Sequence, residues 1–442
     1  MEDQVIYCAH CQTALGADNV DKKDNENMSK LLTVMRERAI IQERHSDEQR
    51  AQIGSEDEGE QHLTLSHISR KPLGLYNLGN TCFMNATLQC LASLCAFVPS
   101  KVDRIGSLSS AFYDLLSSLR NTTKLSPSLA INLKKSKNKN RAYGAIHPGH
   151  FFEELGKRYD FFERNEQQDS HDFLRLLFNA LDDEHAEAMR DGFIKKGTST
   201  CHAQYFGGTI KARIECRTCK NVTFNTEHCL DLSLALDKGF VLEESIRAMN
   251  IRNSDCDNND AINLIALIKA WNQPEILEGD NAFACHNCYR KRNVSARGEI
   301  DDEQKIIYTS AICKYNMEQL PRILIIHLQR FSISSSQLHR KQKQQNHFSY
   351  GKNHRPVTLP KILDGGILSQ IPSQDTTYSL RGIIIHEGGS VDRGHYVCIV
   401  KNDADQWYRI SDTSVTLVCQ ERALSCRSAY IVFYEQFNQI NS

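Results

Sequence analysis

Two patterns of hydrophobic positions predict the secondary structure between Lys71 and Glu435. In the first part of this region, apolar residues recur with the three-to-four-residue spacing of a helix. The two stripes are Met84, Leu88, Leu91 and Cys95 after Cys82, and Phe173, Leu176, Leu177, Ala180 and Leu181, for which Asp169 or Ser170 is the natural N-cap. Later, β-branched and aromatic runs are typical of strands: RILIIHLQRF, YSLRGIIIH, GHYVCIV, QWYRI and AYIVFYE. Helices followed by strands predict an α+β fold.

Shifts in composition predict the domain organisation. Residues 1–17 hold a compact cysteine pair, Cys8 and Cys11, in the sequence YCAHC. Residues 18–71 are charged and nearly free of aromatic side chains, which predicts a flexible linker. Dense mixed sequence then occupies residues 72–436, and a short polar tail follows at 437–442. We therefore expect one large globular domain behind a small N-terminal segment and a linker.

Composition and charge exclude several classes of protein. The 442 residues include 53 Lys and Arg against 54 Asp and Glu, so no net field favours nucleic acid or an anionic membrane. The first twenty residues lack the apolar core of a secretory signal, and the apolar runs are far shorter than the about 20 residues of a membrane helix. We therefore predict no membrane and no specific nucleic-acid partner, with a location in the cytosol or nucleus. In such a reducing compartment, the 16 cysteines are more often ligands, nucleophiles or buried small residues than disulfides.

Two CxxC pairs predict a structural metal site. Cys216 and Cys219 lie in ECRTCK, and Cys285 and Cys288 lie in FACHNCY. Each such turn supplies two thiolates to one edge of a tetrahedron, and four cysteines leave no open position for a reactive water. We therefore predict structural zinc, held by two hairpins that a larger fold brings together.

The N-terminal pair is a weaker candidate. Cys8 and Cys11 make only half of a four-ligand set, unless His10 or a linker histidine such as His45 completes it. Metal binding at this pair therefore stays open.

Cys82 is a candidate nucleophile on local grounds. It stands at the predicted start of a helix in NLGNTCFMN, with Asn80 or Thr81 as the cap, and the helix dipole is expected to lower the pKa of its thiol. Asn77 is a side-chain amide that the intervening turn could aim at the same point, as an oxyanion donor. A buried cysteine at a helix start is the alternative that this segment alone leaves open.

A C-terminal hairpin supplies the missing base. His395 opens one strand, and Ser411 and Asp412 close the next. If NDAD (402–405) forms the loop, His395 lies opposite Asp412, with Ser411 one register step away. A carboxylate or hydroxyl beside an imidazole can take the third role of a nucleophilic triad. The glycines at 388 and 389 allow close approach to a substrate backbone.

These segments together resemble the ubiquitin-specific proteases. GLYNLGNTCFMNATLQCL resembles the cysteine box of that family, and YSLRGIIIHEGGSVDRGHYVCIV with WYRISDTSV resembles its histidine box. NEQQDSHDFLRLLFNAL is similar to the QQD motif between them, and the resemblance covers about residues 72–436. It implies a papain-like peptidase with fingers, palm and thumb subdomains.

The resemblance also implies roles for single residues. Cys82 would be the nucleophile, His395 the general base and acid, and Asn77 the oxyanion donor. Substrate binding would involve Gln168, Asp169, Gly388 and Gly389, with Asp169 contacting the tail of bound ubiquitin. Zinc would be held by Cys216, Cys219, Cys285 and Cys288 in the fingers. The partners would be ubiquitin and ubiquitinated proteins.

The third triad member departs from the commonest family pattern. Ser411 precedes Asp412 where many relatives have Asn or Asp, and we predict that Asp412 orients His395 with help from Ser411, because an ionised carboxylate stabilises imidazolium more strongly than a hydroxyl. The Ser411-Asp412 pair resembles the histone-deubiquitinase-like branch of the family, whose members carry an N-terminal ubiquitin-binding zinc finger. Residues 1–17 would then be a truncated remnant of that finger. Histones are therefore a candidate substrate.

The function implied is a thiol-dependent deubiquitinase that hydrolyses the bond after the C-terminal glycine of ubiquitin. Two alternatives stay open at this point. One is a catalytically weak ubiquitin-binding scaffold, and the other is a peptidase for a ubiquitin-like modifier.

Overall fold

A computed structural model provides the fold. It describes residues 6–7, 14–15, 71–99, 103–120, 145–159, 166–236, 261–294, 307–333, 350–369, 376–390 and 393–437. The chain divides into two units, Met1–Ser69 and Arg70–Ser442. In the first unit, β1 (Ile6–Tyr7) pairs antiparallel with β2 (Ala14–Leu15). Cys8, Cys11, the predicted linker up to residue 70 and the tail from 438 lie outside the described residues.

The second unit contains eight described helices, and two of them are the ones that the hydrophobic stripes predict. The first of these ends at Ser93, so Cys95 lies beyond it and not on its buried face as predicted. The helices are α1 (Cys82–Ser93), α2 (Ser107–Arg120), α3 (Gly149–Gly156), α4 (Ser170–Arg190), α5 (Cys201–Phe206), α6 (Leu264–Trp271), α7 (His286–Val294) and α8 (Gln420–Leu424). Short 3-10 turns cover Gly279–Asn281 and Gly365–Ile367. Among the described helices, none has both the length and the apolar character needed to cross a membrane.

Strands dominate the second half of this unit. The earlier strands are β3 (Gly74–Leu75), β4 (Ala145–Ile146), β5 (Gly208–Cys216), β6 (Val222–Cys229), β7 (Leu232–Ala235), β8 (Ile262–Asn263), β9 (Glu275–Leu277), β10 (Phe283–Ala284) and β11 (Tyr308–Thr309). The later strands are β12 (Ala311–Gln319), β13 (Ile323–Gln329), β14 (Phe331–Ile333), β15 (Tyr350–Lys352), β16 (Val357–Thr358), β17 (Ile362–Asp364), β18 (Thr377–Ser390), β19 (Arg393–Lys401), β20 (Trp407–Ser411), β21 (Ser414–Val418) and β22 (Ala429–Phe437). All five strand-like runs of the sequence form strands, which confirms those predictions.

A central sheet of eight strands positions the candidate site. Its order is β21-β20-β19-β18-β22-β13-β7, with β17 paired to β18, and β7 joins β13 in parallel while the other pairs are antiparallel. One hydrophobic core covers one face with α1, α2 and α4, through residues such as Leu88, Leu116 and Leu177. A second core, which includes Leu267 and Val432, covers the other face. Both faces are buried, as the continuous apolar runs require.

Helix α4 begins where the sequence predicts. The carboxylate of Asp169 caps it, because Oδ1 accepts hydrogen bonds from the backbone N–H groups of His171 (2.7 Å) and Asp172 (3.2 Å). Four members of the predicted stripe are buried and Leu176 is partly buried against the core. The cap and the stripe therefore fix both the start of the helix and the face that it presents to the sheet.

A separate four-stranded sheet extends from the central one. Its order is β6-β5-β12-β9, and the small hairpin of β10 with β11 lies beside it. The outer strand β6 is largely exposed. Cys216 and Cys219 lie at the turn between β5 and β6, as predicted for a hairpin. Cys285 precedes α7 and Cys288 lies within it, so the second pair is at the start of a helix and not on a hairpin as predicted.

Candidate active site

Cys82 is the first residue of α1 and is buried, with 2% of its surface exposed. The turn before it needs two left-handed backbone positions, Gly79 (φ 105°) and Asn80 (φ 54°), and Thr81 is the N-cap residue. The Cys82 Sγ accepts a hydrogen bond from the backbone N–H of Tyr396 on β19, at 3.5 Å. The start of α1 therefore lies directly against the strand that carries His395.

The pKa of the Cys82 thiol is raised, and burial is the largest cause. The N–H of Tyr396 acts in the opposite direction, and the carboxylate of Asp412 raises the pKa further. The N–H groups of Cys82 and Phe83 at the helix start lower this pKa in the predicted direction, but burial outweighs them and the net shift is upward. At neutral pH the group is a thiol that needs a base.

His395 contacts Ser411, not Asp412. Its Nε2 lies 2.8 Å from the Ser411 Oγ. The ladder between β19 and β20 pairs Cys398 with Ile410 and Lys401 with Trp407, so the loop covers residues 402–406 and is one residue longer than predicted. A shift of one residue exchanges the two faces of a strand, and Ser411 consequently shares the face of His395.

Asp412 binds two asparagines instead. Its Oδ2 accepts a hydrogen bond from Asn77 Nδ2 at 3.0 Å, and its Oδ1 accepts one from Asn85 Nδ2 at 2.7 Å. Asp412 itself adopts a left-handed backbone conformation (φ 49°), and its carbonyl accepts a hydrogen bond from the N–H of Leu75 at 2.9 Å. The prediction that Asp412 orients His395 is corrected, since this carboxylate fixes the turn and helix around Cys82.

The side-chain oxygen of Asn77 stabilises the turn before Cys82. Its Oδ1 accepts hydrogen bonds from the backbone N–H groups of Gly79 (3.0 Å) and Thr81 (3.1 Å). The Thr81 hydroxyl accepts a further one from the N–H of Leu78, at 2.9 Å. The orientation of Asn77 is thus set from both ends of its amide, by Asp412 and by the turn that leads to Cys82.

Asp169 connects helix α4 to the strand that carries His395. Besides capping α4 through Oδ1, its Oδ2 accepts hydrogen bonds from the hydroxyls of Tyr396 (2.9 Å) and Tyr430 (2.7 Å). Tyr396 follows His395 directly, so the helix cap is tied to the histidine strand. Gln168 is half-buried just before this cap, and Gly388 and Gly389 are exposed at the end of β18.

Three supporting contacts were missed in the sequence. Gln167 Nε2 donates to the carbonyl of Gly394 at 2.5 Å, and its Oε1 accepts from the N–H of the same residue at 3.3 Å. Asn85 and Tyr430 reach the site from the interior of α1 and from β22. The QQD motif pointed to the neighbouring Gln168, whereas no local pattern distinguishes Asn85 or Tyr430.

The four cysteines of the CxxC pairs form one cluster. Their Sγ atoms all lie within 4.8 Å of one another, with Cys216 to Cys288 at 3.7 Å and Cys219 to Cys285 at 3.6 Å. A tetrahedral zinc with Zn–S bonds of about 2.3 Å has sulfur atoms about 3.8 Å apart, so these distances fit. Asn287 Nδ2 also donates to the Cys219 Sγ at 3.3 Å, as an outer partner of a ligating thiolate does.

Sequence comparison assigns the family. The profile described as "Ubiquitin carboxyl-terminal hydrolase" matches residues 73–434. The chain belongs to the ubiquitin carboxyl-terminal hydrolase family. This membership confirms the predicted function of a deubiquitinase of the cysteine peptidase class.

Individual members of the family resemble the chain at modest identity. A mouse ubiquitin carboxyl-terminal hydrolase, 17-like protein B, is 24% identical over 90% of this chain and 71% of its own length. The yeast ubiquitin carboxyl-terminal hydrolase 9 is 27% identical over 66% of this chain and 34% of its own length. The Arabidopsis thaliana ubiquitin carboxyl-terminal hydrolase 25 is 26% identical over 85% of this chain and 49% of its own length. The chain therefore spans half or less of the last two relatives.

Solved structures share the fold. The SAGA deubiquitinating module of Ubp8, Sgf11, Sus1 and Sgf73 bound to monoubiquitin contains a chain similar to this one, with a TM-score of 0.57 and 19% identity over 85% of this chain and 73% of the other. The same module bound to ubiquitin aldehyde gives a TM-score of 0.56 and 20% identity over 85% of this chain and 72% of the other. The predicted papain-like α+β fold of the family is confirmed.

Proposed function

We propose that the chain hydrolyses the peptide or isopeptide bond after the C-terminal glycine of ubiquitin, with Cys82 as nucleophile and His395 as base and acid. The observation that carries this assignment is the contact of the Cys82 Sγ with the backbone N–H of Tyr396, which brings the nucleophile beside the residue that follows His395. A raised thiol pKa makes a positioned base necessary.

The reaction proceeds in two halves. His395 takes the Cys82 proton, Sγ bonds to the glycine carbonyl carbon, and the C–N bond breaks as His395 returns the proton to the leaving amine. A water then attacks the thioester, gives its proton to His395, and the thiol leaves with that proton, which releases the ubiquitin carboxylate. Because Ser411 is hydrogen-bonded to Nε2 of His395, Nδ1 of the same ring is the atom that takes and returns the proton.

Asn77 acts as the oxyanion donor in this scheme. An amide nitrogen carries two hydrogens, and one of them points to Asp412. The second stays available for the oxygen that becomes negative in the tetrahedral intermediate. Asp412 is then a positioning residue, which holds Asn77 through Oδ2 and helix α1 through Asn85.

Family membership and the ubiquitin-bound structural neighbours favour ubiquitin as the partner. A ubiquitinated histone is the candidate conjugate, on the resemblance of the Ser411-Asp412 pair to one branch of the family. Zinc is the candidate metal of Cys216, Cys219, Cys285 and Cys288, where its charge would hold the two pairs together and support the four-stranded sheet.

The test of this function is a ubiquitin probe with a C-terminal electrophile, together with ubiquitin carrying a C-terminal fluorophore. We expect a covalent adduct at Cys82, mapped by mass spectrometry, and steady fluorophore release by the same preparation. Binding without an adduct would instead identify a scaffold. If a ubiquitin-like modifier is turned over faster than ubiquitin in parallel assays, that modifier and not ubiquitin is the substrate.

Asp412→Ala is expected to lower kcat/KM for the ubiquitin fluorophore by about 10²-fold to 10³-fold, because an unheld oxyanion donor loses most of its effect. Ser411→Ala is expected to lower the same kcat/KM about tenfold, because His395 loses one hydrogen bond to a neutral hydroxyl group. The exposed Ser414 on β21 provides the control, and Ser414→Ala should retain full activity.

A second measurement separates the two roles. Because Asp412 raises the pKa of Cys82, its removal should speed alkylation of that thiol by iodoacetamide at pH 7, while Ser411→Ala should not. If Ser411→Ala proves more damaging than Asp412→Ala, the roles described above are reversed.

A further inference from the structure

We propose that Lys352 is a positioning residue of the substrate cleft, whose ammonium group fixes the backbone at the end of β18 opposite His395. This inference deepens the proposed deubiquitinase function and rests on it. No feature of the sequence distinguished Lys352, which stands in FSYGKNHRP.

The ammonium of Lys352 has a complete set of partners. Its Nζ lies 3.0 Å from His386 Nδ1 and donates to two carbonyls, those of His386 at 2.7 Å and Gly388 at 2.8 Å. An ammonium has three N–H donors, and three acceptors surround it, so each donor has one partner. Lys352 ends β15, which pairs with β14, and the contact therefore ties that small hairpin to β18.

The carbonyl of Gly388 lies where the regular ladder fails, and that of His386 lies just before this step. In the pairing of β18 with β19, Glu387 stands directly opposite His395, and the register shifts between Glu387 and Ser390. Gly388 and Gly389 lie inside this irregular step and are exposed. A glycine backbone outside a regular ladder has wide conformational freedom, and Lys352 restricts it from the side.

His386 transmits the contact to the residue before His395. Its side chain is fully buried, and its ring packs against Tyr396 and Phe331, with centroids 4.7 Å and 5.3 Å away. A Cβ on Gly394 would lie 2.2 Å from His386 Nε2, so ring and glycine are in close contact. Because the ammonium donates to Nδ1, His386 is neutral with its hydrogen on Nε2, and burial together with Lys352 lowers its pKa to about 4.

These contacts predict a specific kinetic effect. Lys352 has no described bond to Cys82, His395 or Ser411, so its loss should loosen the rim on which the ubiquitin tail lies and leave the nucleophile unchanged. Lys352→Met, which keeps the length of the side chain and removes its donors, should raise KM for the ubiquitin fluorophore about tenfold, with kcat within about threefold.

Two further variants and an alkylation assay serve as controls for Lys352→Met. Lys352→Arg keeps a charged donor and should recover most of the lost kcat/KM. Lys361→Met removes a lysine that holds Asp405, which Lys401 also holds, and should leave both constants unchanged. Alkylation of Cys82 by iodoacetamide, which needs no ubiquitin, should proceed at the wild-type rate in all three variants.

The pH dependence gives an independent readout. Burial is the main cause that lowers the pKa of Lys352 to about 8, the Arg330 guanidinium lowers it further, and Glu387 raises it. On the partner His386, Asp169 and Glu387 act to raise the pKa and His354 near β15 acts to lower it. As pH rises through about 8, the amine retains two hydrogens for three acceptors, so wild-type KM should rise relative to that of Lys352→Arg, which stays charged.

The outcomes separate this inference from the proposed function. If wild type does not hydrolyse ubiquitin, the proposed function fails before any variant is compared. If wild type is active but Lys352→Met lowers kcat without changing KM, or slows alkylation of Cys82 equally, Lys352 is not a positioning residue of the cleft. A KM ratio between wild type and Lys352→Arg that does not change from pH 7 to pH 9.5 would also overturn the inference.

Discussion

Cys82→Ala is expected to lower kcat/KM for the ubiquitin fluorophore by at least about 10⁴-fold, because loss of a nucleophile removes the covalent route altogether. The fold should tolerate this change. Sγ accepts a long hydrogen bond of 3.5 Å from Tyr396, and alanine removes only that one atom from a buried position. Steady-state kinetics and thermal melting of the same preparations measure both effects.

Cys90 provides the matched control for this variant. It lies on the same helix and is fully buried, and burial together with the neighbouring Cys398 on β19 raises the pKa of its thiol. Cys90→Ala should therefore lower the free energy of unfolding by about 1–2 kcal/mol and keep kcat/KM within a few-fold. Equal losses of activity in the two variants, or residual activity of Cys82→Ala above about one hundredth, would remove Cys82 from the role of nucleophile.

The raised pKa of Cys82 explains why the histidine and its partners matter so much. A cysteine activated by a helix N-terminus would react as a thiolate without help. Here burial favours the neutral thiol, and Asp412 favours it further, so the proposed mechanism requires proton transfer from Cys82 to His395. The geometry that Ser411, Gln167 and Tyr396 impose on the histidine strand is therefore part of the catalytic apparatus.

Sequence patterns predicted those features that depend on short-range periodicity. The stripe of α4 and its Asp169 cap, the five strands and the two CxxC pairs all follow from spacing within a few residues. The same local rules identified Cys82 at a helix start. They could not supply its pKa, because the burial of Cys82 comes from β19, more than 300 positions away in the chain.

The hairpin between β19 and β20 shows why the third triad member was mispredicted. NDAD was expected to close the turn, but the Asn402 side chain accepts hydrogen bonds from the N–H groups of Ala404 (3.1 Å) and Gln406 (2.9 Å), and Asp405 adopts a left-handed conformation (φ 60°). The turn therefore includes Gln406. One additional loop residue moves Ser411 to the face of His395 and frees Asp412 for the asparagines, and neither propensity nor charge reveals such a step in advance.

Removal of metal from the four-cysteine cluster is expected to produce the largest loss of stability. Structural zinc contributes about 10–16 kcal/mol of binding free energy in zinc-finger peptides. Here it would join β5 of the four-stranded sheet to the segment before α7, where β10 pairs with β11 over only two residues. We expect about one zinc per chain by elemental mass spectrometry. Chelation should lower the melting temperature by about 10 °C or more, with loss of ubiquitin hydrolysis only as the protein unfolds.

Serine substitutions locate this effect. Cys216→Ser should abolish metal retention and destabilise the protein to the same extent as chelation, because three thiolates and a hydroxyl bind zinc far more weakly than four thiolates. Cys229 lies on β6 of the same sheet and outside the cluster, so Cys229→Ser should keep the metal and lose little stability. An unchanged melting temperature after complete chelation, or zinc retained by Cys216→Ser, would contradict a structural metal at these cysteines, whereas immediate loss of hydrolysis by chelated but folded protein would place the metal in the chemistry instead.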